Sequence, residues 1–264
     1  MLFRSGKLYV GNGDGASAGG VDPLAFRSQD LNQPSGKILR INDDGTAPGD
    51  NPFDDGTNSW RSKVWAYGLR NPYRWALHPT RDEILIGDVG WNTWEELDRG
   101  QRGKNYGWPC FEGFLATPEY QAQLPACVTV PQSSVTMPLV AWAHDDASPS
   151  LPGFDPSFLG NTAVGGTVYT GGTYPQLYQG NLFYGEYTDG WIRRLLFDAA
   201  GNMTANQLFA TGVNGLVSIE QGPDGLLYYV DFPAGQVKRI KFNGPVAKIT
   251  ARSEEHTSEL QSPI

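Results

Sequence analysis

Charge, cysteine and long apolar runs are all scarce in this sequence. Only 18% of its 264 residues are charged, whereas glycine and proline number 33 and 19. This balance argues against a helical bundle and favours many short strands joined by turns. No apolar run approaches the ~20 residues of a membrane-spanning helix, so no membrane span is expected. The net charge of -8 argues against nucleic acid as a partner, because a phosphate backbone attracts basic surfaces.

Cysteine occurs only twice, at Cys110 and Cys127. Because neither residue lies in a CxxC pair, a metal site or a thioredoxin-like redox motif is disfavoured. The two residues could form a disulfide in this loop-rich stretch or be two unrelated buried thiols. We favour the disulfide, which implies an oxidising compartment and therefore a periplasmic or secreted protein.

Apolar residues make up 39% of the chain, and its length is sufficient for one large all-β domain with its own core. Within this domain a hairpin unit recurs. Each unit joins an apolar strand, a polar cap and a turn to a second strand, which predicts propeller blades rather than a single sandwich. The four units pair residues 8–12 with 36–41, 85–88 with 94–98, 182–186 with 191–195, and 227–231 with 236–240.

Further strands and three long loops complete this pattern. Strands that enter a unit from the hub are predicted at residues 74–78, 166–170 and 216–221. Long polar insertions lie at residues 16–35, 113–137 and 144–163. Loops of this length in a compact β domain are usually functional or mobile, and in a propeller they would frame one mouth of the central channel.

The two ends of the chain do not follow the repeat. Residues 252–262 read RSEEHTSELQS, which resembles a translated sequencing adapter, and we set residues 251–264 apart as a non-native tail. Residues 1–250 are then a partial β-propeller. The first residues run directly into a strand, and we expect the chain to be a fragment of about four blades.

Polar turn residues concentrate between residues 63 and 113. This stretch holds GLRNP (68–72), GDVGWN (87–92) followed by WEEL (94–97), and NYGWPC (105–110). Such side chains supply hydrogen-bond donors and oxygen ligands, and glycine allows the backbone to approach a ligand closely. Each segment alone is typical of a β-turn, with Glu95 and Glu96 on a solvated face. Their concentration in one stretch favours a functional site.

These segments, in this order and spacing, resemble the glucose/sorbosone dehydrogenase family, which includes the soluble pyrroloquinoline quinone (PQQ) sugar dehydrogenases. The resemblance covers residues 2–246 and is strongest to the sorbosone-dehydrogenase and hedgehog-interacting-protein-like branch. It implies an all-β, six-bladed β-propeller, present here as an incomplete fragment of about four blades. The segments that carry it are LYVGNGDG (8–15), GKILRINDDGTAPGDNPF (36–53), GLRNP (68–72), GDVGWNTWEEL (87–97), NYGWPC (105–110) and GGTVYTGGTYPQLYQGNLFYGEYTDG (165–190).

The resemblance also implies a catalytic site. In the quinone enzymes of the family, an Arg-Asn pair lies beside the cofactor and the substrate hydroxyl, and it corresponds to Arg70 and Asn71. An aspartate that orients the catalytic base corresponds to Asp14, whereas the base histidine itself would precede residue 1. Arginine suits this place because it offers fixed donors to quinone oxygens and stabilises charge as hydride arrives.

Calcium is the second cofactor that the resemblance implies. One Ca2+ polarises the quinone and is held by backbone carbonyls that correspond to Gly90 and Trp91. A second, structural Ca2+ in some members uses positions that correspond to Glu96 and Tyr106, which can supply oxygen ligands of the kind that calcium requires. The alternative is that Glu96 caps a turn and Tyr106 packs under Trp108.

Three positions depart from the glucose-oxidising members of the family. A quinone-binding lysine falls at Thr170, an arginine at Asp189, and a glutamine beside the Arg-Asn pair at Tyr73. These replacements remove positive charge that would balance the carboxylates of PQQ, and family membership alone does not fix the chemistry. His78 and His144 match no family base, and we predict that both are structural.

Three functions are consistent with these residues. The first is a PQQ-dependent oxidoreductase that oxidises a sugar or polyol hydroxyl with the help of calcium and uses an external electron acceptor. Arg70, Asn71 and Asp14 favour it. The second is a non-catalytic propeller that binds carbohydrate or protein, which Thr170 and Asp189 favour. The third is a calcium-dependent propeller hydrolase, for which the sequence offers no assignable ring of carboxylates. We predict the first for the full-length protein and expect the fragment alone to be inactive, because it lacks the base.

Overall fold

A computed structural model of the chain describes residues 2–4, 6–145, 158–243, 246–251 and 257–261, and its architecture confirms the predicted all-β class. The strands in chain order are β1 (Leu2–Arg4), β2 (Lys7–Asn12), β3 (Lys37–Ile41), β4 (Val64–Tyr67), β5 (Pro72–Leu77), β6 (Ile84–Asp88), β7 (Trp94–Gly100), β8 (Phe111–Glu112), β9 (Leu115–Ala116), β10 (Val140–Ala143), β11 (Ala163–Val168), β12 (Leu182–Glu186), β13 (Trp191–Phe197), β14 (Met203–Thr211), β15 (Leu216–Gln221), β16 (Leu227–Asp231), β17 (Gln236–Asn243), β18 (Val246–Ala251) and β19 (Thr257–Gln261).

Helices are few and short. The α-helices are α1 (Trp60–Lys63), α2 (Pro118–Gln123) and α3 (Pro125–Val128), and 3-10 turns occupy Pro23–Gln29, Gln132–Ser134 and Gln176–Tyr178. Within the described ranges, none of them has the length and apolar character that crossing a membrane requires.

Four antiparallel sheets contain nearly all of the strands. Their strand orders are β1-β2-β3-β4, β5-β6-β7-β10, β11-β12-β13-β14 and β15-β16-β17-β18-β19, called here the first to the fourth sheet. Each predicted hairpin unit forms a central pair of one sheet: β2–β3, β6–β7, β12–β13 and β16–β17. Strands are present where the entering strands were predicted: β15 has the predicted bounds, and β5 and β11 lie a few residues earlier than predicted. That these sheets belong to a ring of six blades stays a prediction.

In three sheets, the next-to-last residue of the second strand is a glycine, and this glycine explains how closely the sheets stack. These residues are Gly11, Gly87 and Gly185. A β-carbon on Gly87 would lie 2.3 Å from the backbone nitrogen of Gly165 in β11, and one on Gly185 would lie 2.1 Å from a methyl carbon of Leu216 in β15. Each sheet therefore lies directly against the first strand of the next one.

Apolar cores fill the three spaces between consecutive sheets. Large aromatic side chains dominate them, in edge-on and tilted contacts that suit their ring quadrupoles. Buried members include Tyr9, Trp65 and Trp75 between the first and second sheets, Trp142, Tyr184 and Leu195 between the second and third, and Phe183, Leu216 and Tyr229 between the third and fourth.

The long insertion after β7 forms a small unit of its own. It contains the β8–β9 hairpin, α2 and α3, and it packs around buried Trp108 and Tyr120. Cys110 and Cys127 form the predicted disulfide, with a Cα–Cα distance of 5.0 Å. The bond closes this insertion over the adjoining end of the second sheet. Of the other two predicted insertions, residues 16–35 contain the 3-10 turn Pro23–Gln29, and residues 144–163 lie mostly outside the described residues.

The tail adds strands where the sequence analysis expected a break from the β pattern. Thr257–Gln261 pairs antiparallel with Val246–Ala251, which itself pairs with β17. An open sheet edge presents unpaired N–H and C=O groups, and any extended segment can satisfy them. Residues 252–256 and 262–264 lie outside the described residues. The division at residue 250 and the non-native origin of the tail stay predictions.

Candidate functional site

Five predicted site residues meet at one end of the second sheet. Asp88, the last residue of β6, pairs with Pro72, the first residue of β5, so the turns that follow β6 and precede β5 lie side by side. The Val89 N–H donates to the Asn71 carbonyl at 3.0 Å, and the Asp14 N–H donates to the Arg70 carbonyl at 2.8 Å. We call Asp14, Arg70, Asn71, Gly90 and Trp91 the rim.

Arg70 occupies the centre of the rim. Its Nη1 donates to the carbonyl oxygens of Val89, at 2.9 Å, and of Gly90. Its guanidinium carbon lies 5.6 Å from the ring centroid of Trp108, a cation–π contact. Asn71 is exposed beside it, so both side chains of the predicted pair border the same surface. Planar guanidinium donors in this position can bind an oxygen-rich or quinone ligand.

Asp14 is held in place by the NYGWPC segment. Its carboxylate accepts from Trp108 Nε1 at 2.7 Å and from the Ala16 N–H at 3.0 Å, and the residue is 7% exposed. Trp108 therefore contacts both Asp14 and Arg70. The sequence analysis mentioned Trp108 only as a residue under which Tyr106 could pack, although its place in NYGWPC between a glycine and a proline was a usable signal.

Buried carboxylates lie beneath the rim, which overturns the alternative of a solvated face for Glu95 and Glu96. These side chains are 0% and 7% exposed. Asp88 accepts from the N–H groups of Arg70 and Asn71 at 2.9 and 2.6 Å. Burial raises the pKa of Asp88 to about 7, against the effect of those two amides and of the Arg70 charge. Burial likewise raises the pKa of Glu112 to about 7.

Glu95 connects the second sheet to the third. Its Oε2 accepts from the N–H groups of Gly90 at 3.1 Å and Ala163 at 2.7 Å, and its Oε1 lies 2.9 Å from Nε2 of His144. Burial raises the pKa of Glu95, while His144 lowers it. His144 thus has a carboxylate partner where the second and third sheets meet, in agreement with a structural role. His78, at the other end of β5, accepts turn amides from Thr80 and Arg81 through Nδ1.

The predicted second metal site contains an unsatisfied acid that the sequence analysis missed. Glu96 Oε1 accepts from the Gly113 N–H, as a turn cap would. Both carboxylate oxygens of Asp98, two residues along the same face of β7, are buried and have no hydrogen-bond partner within the described residues. Burial, reinforced by neighbouring acids, raises the pKa of Glu96 and of Asp98 well above their usual range.

Tyr106 lies close to these acids but does not offer them its hydroxyl. The hydroxyl donates to the Arg99 carbonyl at 2.6 Å and accepts from the Gln101 N–H at 2.9 Å. Its ring packs in the core between the first and second sheets. Burial and the Asp98 charge raise the pKa of this phenol. Any metal contact by Tyr106 would therefore use its main chain. The described residues show no group of three or more acidic, histidine or cysteine side chains arranged to hold a metal.

Thr170, the position of the family's quinone-binding lysine, does not lie at the rim. It follows the end of β11, where its N–H donates to the Gln221 side chain at 2.7 Å, whereas the start of β11 contacts Glu95. The residue therefore lies at the opposite end of the third sheet from Arg70. Asp189 does lie at the rim end of the third sheet, exposed in the turn after β12, where its N–H donates to Glu186.

Tyr73 lies next to the Arg-Asn pair, as the sequence places it. Its ring is covered by the Arg74 guanidinium at 4.2 Å from the ring centroid. A phenol in place of an amide exchanges an NH2 group and a carbonyl for one hydroxyl beside Asn71 and adds an aromatic surface there.

Comparisons with known proteins agree with this architecture. The family model described as glucose/sorbosone dehydrogenase matches residues 1–239. The uncharacterized protein slr1608 of Synechocystis sp. is 33% identical over 242 residues, which cover 89% of this chain and 53% of that protein. The aldose sugar dehydrogenase YliI of Escherichia coli is 26% identical over 220 residues, covering 81% of this chain and 53% of that protein.

Solved structures show the same fold. The crystal structure of the soluble aldose sugar dehydrogenase from E. coli in the apo-form superimposes with a TM-score of 0.66 at 23% identity, over 94% of this chain and 62% of that one. The PQQ-bound form of aldose sugar dehydrogenase from Streptomyces coelicolor gives a TM-score of 0.55 at 23% identity, over 97% of this chain and 58% of that one. The chain spans about half the length of the first two curated relatives, 53% in each case.

Proposed function

Because the chain belongs to the glucose/sorbosone dehydrogenase family, we propose that it is part of a PQQ-dependent oxidoreductase that oxidises a hydroxyl of a sugar or polyol. The observation that carries this proposal is the convergence of Asp14, Arg70 and Asn71 at one rim, linked by the 2.8 Å hydrogen bond between Asp14 and Arg70. Groups that act on one substrate must share one surface, and residues far apart in sequence do so here.

The rim residues suit the binding of a quinone and an alcohol. PQQ, when bound, accepts hydride from the substrate carbon. Arg70 keeps guanidinium donors at the surface and stabilises negative charge that develops next to it. Asn71, exposed beside it, can donate to or accept from a sugar hydroxyl. Asp14 is buried and fixed by Trp108, as a residue that orients a base must be.

Calcium is compatible with the donors at two places. At the rim, the Gly90 carbonyl accepts from the Arg70 guanidinium, and a carbonyl oxygen has a second lone pair with which it can bind a hard cation. Gly90 and Trp91 would hold the ion there. Beneath the rim, the carboxylate oxygens of Asp98 have no hydrogen-bond partner within the described residues. Asp98 could bind a cation together with Glu96, and Tyr106 could add a carbonyl oxygen. A buried carboxylate destabilises the folded state unless it is hydrogen-bonded, paired with a cation or bound to a metal ion.

The disulfide supports an oxidising compartment, and we place the protein in the periplasm or outside the cell. Electrons would then pass to an external acceptor. The binding-module alternative retains one supporting observation, the exposed acid Asp189 on the rim end of the third sheet. An acid there would repel the carboxylates of PQQ, whereas a binding surface for carbohydrate tolerates it.

The test is reconstitution of the complete gene product. The protein is loaded with PQQ and Ca2+, quinone binding is followed by calorimetry, and dye-linked oxidation is measured on a panel of aldoses and polyols. We expect saturable quinone binding and calcium-dependent oxidation of at least one sugar. Sugar binding without quinone binding or oxidation would transfer the assignment to the binding module. Asp189→Arg introduces an arginine where the glucose-oxidising members of the family have one. If the rim is the cofactor site, this variant is expected to bind the quinone more tightly.

A further inference from the structure

Two buried carboxylates bind the backbone of the rim from below. Glu95 Oε2 accepts from the Gly90 N–H at 3.1 Å, and Glu112 Oε1 accepts from the Trp91 N–H. The two acids are 0% and 3% exposed. They come from different strands, β7 and β8, yet they converge on two consecutive amides.

The carbonyl groups of the same two peptide units face Arg70. In a trans peptide, the C=O and the following N–H point in opposite directions. The Val89–Gly90 unit has its N–H on Glu95 and its carbonyl on Arg70 Nη1 at 2.9 Å. The Gly90–Trp91 unit has its N–H on Glu112 and its carbonyl on the same arginine nitrogen. Each peptide unit therefore lies between a carboxylate and the guanidinium.

Other contacts fix the positions of the turn at Gly90 and of Glu95. A β-carbon on Gly90 would lie 1.6 Å from the Trp94 carbonyl oxygen, so only glycine allows the turn to lie this close. Glu95 is itself fixed by the Ala163 N–H at 2.7 Å and by His144 at 2.9 Å. His144 therefore acts on the turn through Glu95.

Hydrogen bonds in series polarise one another, so an acid on the N–H of a peptide makes the carbonyl oxygen of that peptide a stronger acceptor. We propose that Glu95 and Glu112 are positioning residues that act through these two peptide units to fix the Arg70 guanidinium, and that Glu112, through the Gly90–Trp91 unit, also strengthens the Gly90 carbonyl as a cation ligand. The proposal rests on the proposed function only where it assigns Arg70 and Gly90 to the cofactor site. The linkage between acids, peptides and arginine stands on the contacts alone.

The test compares Glu95→Gln and Glu112→Gln with Glu119→Gln, a matched change at an exposed glutamate in α2. Glutamine keeps the shape and one acceptor oxygen but removes the charge. In the complete gene product, nitrogen-proton spectra report the Gly90 and Trp91 amides and the Arg70 guanidinium. We expect an upfield shift of the Gly90 amide in Glu95→Gln and of the Trp91 amide in Glu112→Gln, with faster exchange of the Arg70 side-chain protons in both. Calorimetry with Ca2+ alone should show affinity lower by roughly 10- to 100-fold in Glu112→Gln, as for other residues that support metal ligands.

The outcomes separate this proposal from the proposed function. If the Arg70 signals in Glu95→Gln and Glu112→Gln are the same as in Glu119→Gln, the positioning role is overturned. An unmodified protein that binds no Ca2+ at all would count against the metal assignment, while altered Arg70 signals in the same variants would still support the positioning role. His144→Asn provides a second variant that leaves both acids in place. It is expected to shift the Gly90 amide and to leave the Trp91 amide unchanged, and an unchanged Gly90 amide would contradict the proposed path through Glu95.

Discussion

The backbone N–H of Asp14 donates to the carbonyl oxygen of Arg70 at 2.8 Å, which joins the first sheet to the turn that opens the second. Trp108 strengthens this junction, because it binds the Asp14 carboxylate at 2.7 Å and lies against the Arg70 guanidinium. Three motifs that are separate in sequence therefore meet at Arg70. A change in this side chain should alter cofactor chemistry without loosening either sheet, since the link to Asp14 uses only main-chain atoms.

Arg70→Lys is expected to lower dye-linked oxidation by ~10²–10³-fold, the usual effect of removing one preorganised charge-stabilising donor. Lysine keeps the charge but has no planar fork with which to bind both carbonyls and still face a ligand. Steady-state kinetics of the loaded complete protein provide the measurement. Arg102→Lys is the control, because Arg102 donates to the Asp50 carbonyl on an exposed surface. Equal activities in the two variants would remove Arg70 from the proposed site.

Asp98→Asn tests the cation site beneath the rim. Both oxygens of Asp98 are buried without a hydrogen-bond partner in the part of the chain that the structure describes. Burial raises the pKa of Asp98 well above its usual range, so this carboxyl group destabilises the folded protein at neutral pH. The variant should therefore gain about 1 kcal/mol of unfolding free energy in the presence of a chelator.

Addition of Ca2+ should reverse the order of stability of the unmodified protein and Asp98→Asn. The unmodified protein is expected to gain stability on addition of Ca2+, because a ligand that binds only the folded state stabilises it, whereas Asp98→Asn should gain less. Urea unfolding with chelator and with Ca2+ measures both effects. Asp43→Asn, at an exposed turn, serves as the reference. If calcium stabilises Asp98→Asn and the unmodified protein equally, Asp98 is not a ligand.

Much of the fold could be predicted from the sequence because it follows from local signals. Four hairpins and their entering strands each have an apolar run and a turn, and the Cys110–Cys127 pair needed only proximity in one insertion. The position of Thr170 could not be obtained in this way. The end of the sheet at which a residue lies depends on strand direction and exact bounds, and β11 starts and ends a few residues before the predicted strand.

The rim was predictable only in part. Its surface residues lie in recognisable turns, so Arg70 and Asn71 could be found from their motif. The acids below them could not, because the run Glu95-Glu96 has the polarity of an exposed strand. Their burial arises from contacts with the third sheet and with the β8–β9 hairpin, through Ala163 and Gly113. Such tertiary contacts leave no periodic signal in the sequence.

Stability should depend on pH through the acids under the rim. Burial raises the pKa of both Asp88 and Glu112 to about 7. The same groups titrate at ~3.9 and ~4.3 in an unfolded chain. Between these values the folded protein holds more protons than the unfolded one, so the unfolding free energy falls as pH rises from ~4 to ~7. Asp88→Asn should flatten this slope. Urea unfolding in chelator at several pH values tests it, and a free energy that rises over this interval in the unmodified protein would contradict the assignment.

Gly87→Ala tests the close stacking of the second and third sheets. A β-carbon there would lie 2.3 Å from the Gly165 nitrogen and 3.1 Å from the Val164 carbonyl carbon, and backbone atoms cannot turn aside as a flexible side chain can. The sheets would have to separate, which would loosen the core around Trp142. Overpacking of this kind costs typically ~1–3 kcal/mol. Gly172→Ala is the matched control, since its β-carbon would meet nothing within 4 Å and its backbone is not in the left-handed region. Denaturant unfolding of the two variants should therefore differ by at least ~1 kcal/mol, with Gly87→Ala the less stable. If they unfold at the same denaturant concentration, the sheets do not pack through this glycine, and the stacking that places Glu95 against Ala163 loses its support.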